Sequence, residues 1–154
     1  KSWLKAWFRH THSWTRGRMT MLPAPAPVVN STTAEFWKAT TEGRFILQRC
    51  DACDIVLWFP RRNCPKCWTE DVSTFDAKQT GTVYSFTVVR KGKGVFQDAG
   101  PFVIAYVELA DGPRIMTNIV DCDIDALHIG MPVEMVFHDT GEGSALYRFR
   151  PASR

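Results

Sequence analysis

Apolar and polar residues alternate with a period of two through the second half of the chain, which is typical of β-strands. Five such runs occur between Gly81 and Arg150, with turn-forming residues between them: GTVYSFTVV, PFVIAYVEL, PRIMTNIV, PVEMVFH and ALYRFR. Asp111 and Gly112, between the second and third runs, are typical of a two-residue hairpin turn. Five short strands in sequence predict a small closed barrel. The segment DCDIDALHIG would add one helical turn that plugs it, as in the OB-fold.

The segment STTAEFWKATTEGRF, upstream of the strands, has the features of a short helix. Ser or Thr residues can cap its first turn, Glu35 lies near its start and Gly43 can end it. Phe36 and Trp37 would lie on its apolar face.

Residues 1–30 differ from the rest of the chain in charge. They carry five basic residues and no acidic one, so the formal net charge of +3 comes from this segment, and the remainder is slightly acidic. Because the segment lacks an initial Met, we expect translation to start at Met19 or Met21, and the stretch LPAPAPVV to be an extended linker. A basic amphipathic helix at a membrane surface is the alternative. No apolar run here is long enough to span a membrane.

Four cysteines form two close pairs, Cys50 with Cys53 and Cys64 with Cys67, separated by ten residues. Two C-x2-C turns at this spacing can present four thiolates to one tetrahedral metal ion. Zinc is the predicted metal, and iron in a rubredoxin-like site is the alternative. Four cysteines would fill every ligand position, so the metal would be structural. The odd fifth cysteine, Cys122, favours a reduced, cytoplasmic compartment.

The order of these motifs resembles one family. FWKATTEGRFILQRCDACDIVLWFPRRNCPKC, followed by the strand motifs and by YRFRP, is similar to the zinc-ribbon and OB-fold proteins associated with acyl-CoA metabolism. The resemblance implies a mainly β fold with a short N-terminal helix, a rubredoxin-like zinc ribbon and a C-terminal five-stranded OB-fold barrel. We therefore expect a peripheral tail and linker at 1–30, the helix and ribbon at 31–74, and the OB-fold domain at 75–154. Asp54 and Trp68 stand where many ribbons carry glycine after each cysteine pair.

Members of this family act beside thiolases, thiolase-like aldolases, including those that shorten steroid side chains, and enoyl-CoA hydratases. The resemblance implies a non-catalytic accessory subunit in a hetero-oligomer, which helps to position or channel an acyl-CoA. Four aromatic residues are more aromatic surface than a helix and a ribbon readily hide, and are candidate partner contacts: Phe36, Trp37, Trp58 and Phe59. Four basic residues are candidate contacts for the phosphates of CoA: Arg61, Arg62, Lys91 and Lys93.

Both candidate sets have simpler interpretations. For Trp58 and Phe59 the alternative is that they cover the ribbon or pack on the barrel. Lys91 and Lys93 lie in a Gly-rich segment that is typical of a solvated loop.

Binding of single-stranded nucleic acid is the alternative function for a barrel of this kind, and it needs exposed aromatic residues with basic neighbours on the central strands. The second and third predicted strands offer Phe102 and Tyr106, but the nearby charges include Glu108 and Asp111. Together with the acidic balance after residue 30, this argues against nucleic acid as a partner.

No pair of residues in the sequence is typical of acid–base catalysis. His138 and Asp139 are neighbours on one predicted strand, so their side chains should point to opposite faces. Cys122 is more typical of a small buried apolar residue than of a nucleophile. We therefore predict no catalytic residue.

Overall fold

The computed structural model describes residues 22–153, so the predictions for the tail up to Met21 lie outside the described residues. The described part contains one α-helix, α1 (Ala34–Thr41), and eight strands: β1 (Ile46–Cys50), β2 (Ile55–Leu57), β3 (Val72–Asp76), β4 (Thr80–Val89), β5 (Phe102–Leu109), β6 (Arg114–Ile119), β7 (Pro132–Asp139) and β8 (Ala145–Pro151). The predicted mainly β fold is confirmed. No helix within residues 22–153 is long and apolar enough to cross a membrane.

Helix α1 ends through a Schellman motif at Gly43. The Arg44 backbone N–H donates to the Ala39 carbonyl at 3.0 Å, and the Gly43 N–H donates to the Thr40 carbonyl at 3.1 Å. Gly43 has a φ of +70°, which glycine adopts without the steric penalty of a Cβ. Gly43 therefore ends the helix, as predicted.

The ribbon consists of a three-stranded antiparallel sheet with the order β2-β1-β3. The first cysteine pair lies at the turn between β1 and β2, and the second lies in the segment that leads from β2 to β3. Strand β3 extends across the predicted domain boundary between residues 74 and 75 and still pairs with β1 there. The division of the chain into domains stays a prediction.

The barrel is closed, with the strand order β4-β5-β6-β8-β7. All five strands predicted from the alternating pattern are present. Strands β6 and β8 run parallel and pair only at Ile119 and Phe149, whereas the other neighbours are antiparallel. The predicted helical turn after β6 takes the form of two overlapping turns, in which Ala126 N–H donates to Asp123 and Leu127 N–H to Ile124. Leu127 is buried in the main core.

Six aromatic side chains join the helix and ribbon to the barrel, and we call them the aromatic cluster: Phe36, Trp37, Phe45, Trp58, Phe59 and Tyr147. The Phe36 ring lies at the centre, with its centroid 4.9–6.0 Å from the other five. Because these contacts are mostly edge-to-face, they add to the stabilisation that burial provides.

The aromatic cluster corrects one expectation from the sequence. Phe36 is 1% exposed and Trp37 7% exposed, so the expected exposed aromatic surface at these two positions is wrong. The reason is that rings of the helix and ribbon pack around Phe36. Tyr147 of β8 then covers both Phe36 and Trp37, a contact that a helix and ribbon without the barrel do not have. Trp58 and Phe59 are half-buried against the same core, and their contact with a partner stays a prediction.

Candidate functional site

The four predicted metal ligands lie together. The Sγ atoms of Cys50, Cys53, Cys64 and Cys67 are all within 4.8 Å of one another, and those of Cys50 and Cys67 are 3.6 Å apart. Tetrahedral coordination with a Zn–S distance of about 2.3 Å requires sulfur atoms about 3.8 Å apart. The four cysteines are thus positioned for metal binding. Cys50 and Cys64 are buried, whereas Cys67 is exposed.

Backbone N–H groups point at two of these sulfur atoms. The Cys53 N–H donates to Cys50 Sγ, and the Lys66 N–H donates to Cys64 Sγ, each at 3.4 Å. Burial opposes the ionisation of Cys64, but the N–H groups of Cys67 and Lys66 outweigh it and lower its pKa to about 7. Hydrogen bonding to Cys67, together with burial, raises the pKa of Cys53 to about 12. Four thiolates this close therefore need a cation to be ionised together, which suits a metal ion.

Both cysteine turns have the geometry that glycine usually provides, although neither has glycine. Asp54 has a φ of 54° and Trp68 a φ of 63°. Their backbone N–H groups donate back to the carbonyls of Cys50 and Cys64, at 2.8 and 2.9 Å. The sequence thus departs from the common ribbon pattern in residue type but not in backbone conformation.

A pocket opens on the face of the barrel where the order of strands passes from β6 to β8, and we call it the barrel pocket. Its volume is about 330 Å³. It is mainly apolar and is lined by Trp37, Phe96, Phe102, Ile104, Met116, Thr117, Asn118, Leu146, Tyr147 and Arg148. Strands β5 and β6 are the second and third of the barrel, and this face with the adjoining loop carries the ligand site in many OB-folds. The volume falls in the range of small-molecule sites.

The loop between β4 and β5 forms one border of the barrel pocket. This loop contains a short 3-10 turn at Gly94–Phe96. The ring of Phe96 lies 5.5 Å from that of Phe102, which begins β5. The Gly-rich loop is therefore partly anchored on the barrel by an aromatic pair, rather than wholly solvated.

Arg148, at the inner edge of the barrel pocket, is 1% exposed. Its Nη1 donates to the Leu22 carbonyl at 2.8 Å and to His138 Nδ1 at 3.2 Å, and its Nη2 donates to the Pro23 carbonyl. Nε has no hydrogen-bond partner among residues 22–153. Burial lowers the pKa of Arg148. The expected linker is therefore attached to the barrel at its first described residues.

The sequence analysis missed Arg148 and the barrel pocket. A charged residue in ALYRFR is expected to face solvent, and its cover comes from Leu22, 126 residues earlier in the chain. The pocket residues come from α1, the β4–β5 loop and three strands, so no local pattern identifies them.

The four basic candidates for CoA binding do not lie in one site. Arg61 and Arg62 line a groove on the ribbon with Gln48 and Glu70, and the Arg61 guanidinium donates to the carbonyls of Phe59 and Trp58, at 3.2 and 3.3 Å. Lys93 directly precedes the turn that borders the barrel pocket, and Lys91 is two residues earlier. Binding of CoA by any of them stays a prediction.

The remaining candidates have separate surroundings. Asp139 accepts a hydrogen bond from the Gly141 N–H at 2.9 Å, whereas His138 faces Arg148, so the two do not interact with a common group. Cys122 packs half-buried against the core, and burial raises the pKa of its thiol.

On the outer face of the barrel, the guanidinium of Arg114 lies 3.6 Å from the Tyr84 ring centroid and pairs with Glu108 at 3.0 Å. This cation already has partners within the chain.

Comparison with known proteins supports both halves of this architecture. Residues 37–73 match the model of the ChsH2 rubredoxin-like zinc ribbon domain, and residues 75–138 match that of the ChsH2 C-terminal OB-fold domain. A "DUF35 domain-containing scaffold protein" of Methanocaldococcus jannaschii is 36% identical over 110 residues, which cover 67% of this chain and 78% of that protein.

Two further relatives are named for enzymes. A "Probable enoyl-CoA hydratase alpha subunit" of Thermomonospora curvata is 36% identical over 128 residues, or 83% of this chain, and the match spans only 40% of that protein's length. A solved structure named "Ltp2-ChsH2(DUF35) aldolase" superimposes with a TM-score of 0.74 at 35% identity, covering 83% of this chain and 100% of the matched chain.

Proposed function

Since the chain belongs to the ChsH2, or DUF35, family of zinc-ribbon and OB-fold proteins, we propose that it is a non-catalytic accessory subunit of an enzyme that processes acyl-CoA. It binds a thiolase, a thiolase-like aldolase such as one that shortens steroid side chains, or an enoyl-CoA hydratase, and so forms a hetero-oligomer. The names of the relatives support this choice, because similar proteins are named as a scaffold protein, as a hydratase subunit and as part of an aldolase.

The barrel pocket is the observation that carries this proposal. Its apolar lining suits a hydrocarbon group, and polar groups are few: Thr117, Asn118 and Arg148. In the proposed function it receives the acyl part of the ligand, while Lys91 and Lys93 of the bordering loop contact phosphates. The chain thereby positions an acyl-CoA for the catalytic subunit and performs no reaction itself.

We further propose that Cys50, Cys53, Cys64 and Cys67 hold one structural zinc ion. The sulfur geometry supports a tetrahedral ion, and all four positions would be taken by thiolates, so the ion would activate no water. Iron fits the same donor set, and elemental analysis of protein purified from its native cell distinguishes the two.

Affinity purification of the full chain from its native cell tests the partner. We expect a thiolase, a thiolase-like aldolase or an enoyl-CoA hydratase, identified by mass spectrometry, in a complex that persists on gel filtration. Failure to recover such an enzyme, together with salt-dependent binding of a single-stranded oligonucleotide, would overturn the accessory function in favour of nucleic-acid binding. Turnover of an acyl-CoA by the isolated chain would instead make it an enzyme.

Calorimetric titration with a medium-chain acyl-CoA tests the barrel pocket. Replacing Phe96 with alanine removes apolar contact at the pocket border, and should weaken binding roughly tenfold. Val95→Ala is the matched control, because Val95 lies in the same turn, is 65% exposed and does not line the pocket. Equal affinities for both variants would place the acyl group elsewhere. Free CoA should bind more weakly than the acyl-CoA, since it lacks the acyl chain.

A further inference from the structure

Trp68 combines two unfavourable features at the tip of the second cysteine turn. Its side chain is 77% exposed, and its backbone has a φ of 63°. A bulky residue at positive φ is a conformational outlier that glycine would avoid, and an exposed tryptophan leaves a large apolar ring in water. Strained residues of this kind are concentrated at functional positions, so Trp68 calls for a functional explanation.

The first cysteine turn provides an internal comparison. Asp54 occupies the equivalent position with nearly the same φ, and its carboxylate pairs with Arg49 at 2.5 Å. Asp54 therefore has an intramolecular contact that accounts for a non-glycine residue. Trp68 belongs to neither of the buried clusters in residues 22–153. Contacts within residues 22–153 therefore account for a non-glycine side chain at Asp54 but not at Trp68.

The surroundings of Trp68 indicate the chemistry of what covers it. The nearest charged residues in the sequence are Lys66 on one side and Glu70 and Asp71 on the other, and all three are exposed. None of them forms an ion pair within residues 22–153. The metal ligand next to Trp68, Cys67, is also exposed. A complementary surface would offer an apolar socket for the ring and a carboxylate that faces Lys66.

We infer that Trp68 is the anchor by which the ribbon binds its enzyme partner, a thiolase-like aldolase subunit with an apolar socket and a carboxylate that faces Lys66. This inference rests on the proposed accessory function and deepens it, because it moves the predicted interface from the buried Phe36 and Trp37 to the tip of the second cysteine turn. Tryptophan is among the residues that are enriched in interface hot spots.

Purified Ltp2 aldolase, the enzyme named with the solved relative, is the probe, and calorimetry with the full metal-loaded chain is the measurement. Trp68→Gly should weaken binding about thirtyfold or more, as expected for loss of a hot spot. Because glycine adopts positive φ readily, this variant should keep its metal and should melt no lower than the wild-type chain. Asp54→Gly is the matched control, with the same backbone change in the other turn, and should bind within about twofold of wild type.

Two further variants sharpen the result. Trp68→Phe keeps an aromatic anchor and should recover part of the affinity that Trp68→Gly loses. Lys66→Glu should weaken binding and reduce its dependence on salt, because it removes the proposed pairing of Lys66 with a carboxylate of the partner.

Wild-type affinity in Trp68→Gly would overturn the anchor while leaving the accessory function intact. Loss of metal or a lower melting temperature in Trp68→Gly would also overturn it, because Trp68 would then be a structural residue of the ribbon. If the wild-type chain does not bind the aldolase, the aldolase form of the proposed function fails, and the anchor fails with it.

Discussion

The ribbon and the barrel differ in what fills their interiors. The separate buried cluster of the ribbon consists of Cys50, Leu57 and Cys64, so two of its three members are predicted metal ligands. The main cluster extends through α1, β1 and all five barrel strands and contains large apolar side chains such as Phe36 and Phe149. We therefore expect the cysteine turns of the ribbon to depend on a bound metal for their order, whereas the barrel can rely on burial.

Removal of a metal ligand should disturb the ribbon while leaving the barrel folded, and this is the largest effect that we expect. Cys64→Ser should abolish stoichiometric metal binding and unfold the cysteine turns, because metal binding to such segments contributes roughly 10–16 kcal/mol on the scale of zinc-finger peptides. Elemental analysis and hydrogen exchange measure the two effects, and barrel strands should stay more protected than residues 50–70.

Cys122→Ser is the control for the ligand substitution, since Cys122 lies outside the metal cluster. It should retain metal and change stability little. A metal-free Cys64→Ser chain with wild-type exchange in the cysteine turns would show that the ribbon orders itself without metal.

Phe36→Ala tests the connection between the two regions. The Phe36 ring contacts five other aromatic rings and is 1% exposed, so its removal should cost about 3–5 kcal/mol of unfolding free energy. Urea denaturation measures the change, with Val28→Ala as a control at a position that is 93% exposed. A loss below about 1 kcal/mol would mean that the helix and ribbon are stable without this contact.

Gly81→Ala tests how tightly the barrel is packed. An added Cβ would lie 2.5 Å from the Glu108 carbonyl oxygen and 2.7 Å from Val107 Cγ1, so the variant should lose about 1–3 kcal/mol. Gly43→Ala is the comparison, because its Cβ would meet no atom within 4 Å and only the φ of +70° opposes it. Its expected loss is about 1 kcal/mol. Equal losses would show that β4 and β5 separate readily at this point.

A smaller effect should appear when the pH is lowered. Burial and the positive charge of Arg148 lower the pKa of His138 below its usual value of 6.5, and Asp121 opposes part of this shift. The unfolded chain therefore takes up a proton first, so this contribution to stability is complete above pH 6.5 and falls as the pH decreases through that value toward the folded pKa.

Urea unfolding between pH 7.5 and pH 5 measures this effect, in steps chosen around the ordinary histidine pKa of about 6.5. His138→Gln should remove the share of the slope that His138 contributes, while the slope from carboxylates remains. An identical slope in both chains would show that protonation of His138 leaves the contact with Arg148 and the linker undisturbed.

Much of the fold and part of the candidate site could be predicted from short stretches of sequence. The cysteine pairs, the five alternating strands and Gly43 depend on spacings of a few residues, and each of them recurs in the structure. Trp68 was visible as a departure from the ribbon pattern, but its exposure was not, because exposure depends on what the rest of the chain leaves uncovered.

The local elements of this protein follow from short stretches of its sequence, since turn chemistry, strand alternation and thiol spacing act between near neighbours. Contacts between distant segments bury Phe36 and Trp37, cover Arg148 with Leu22 and Pro23, and bring the residues of the barrel pocket together from one helix, one loop and three strands. The physical reason is that burial is a property of packing between distant segments. A side chain that is exposed on its own helix or strand becomes interior once another element covers it.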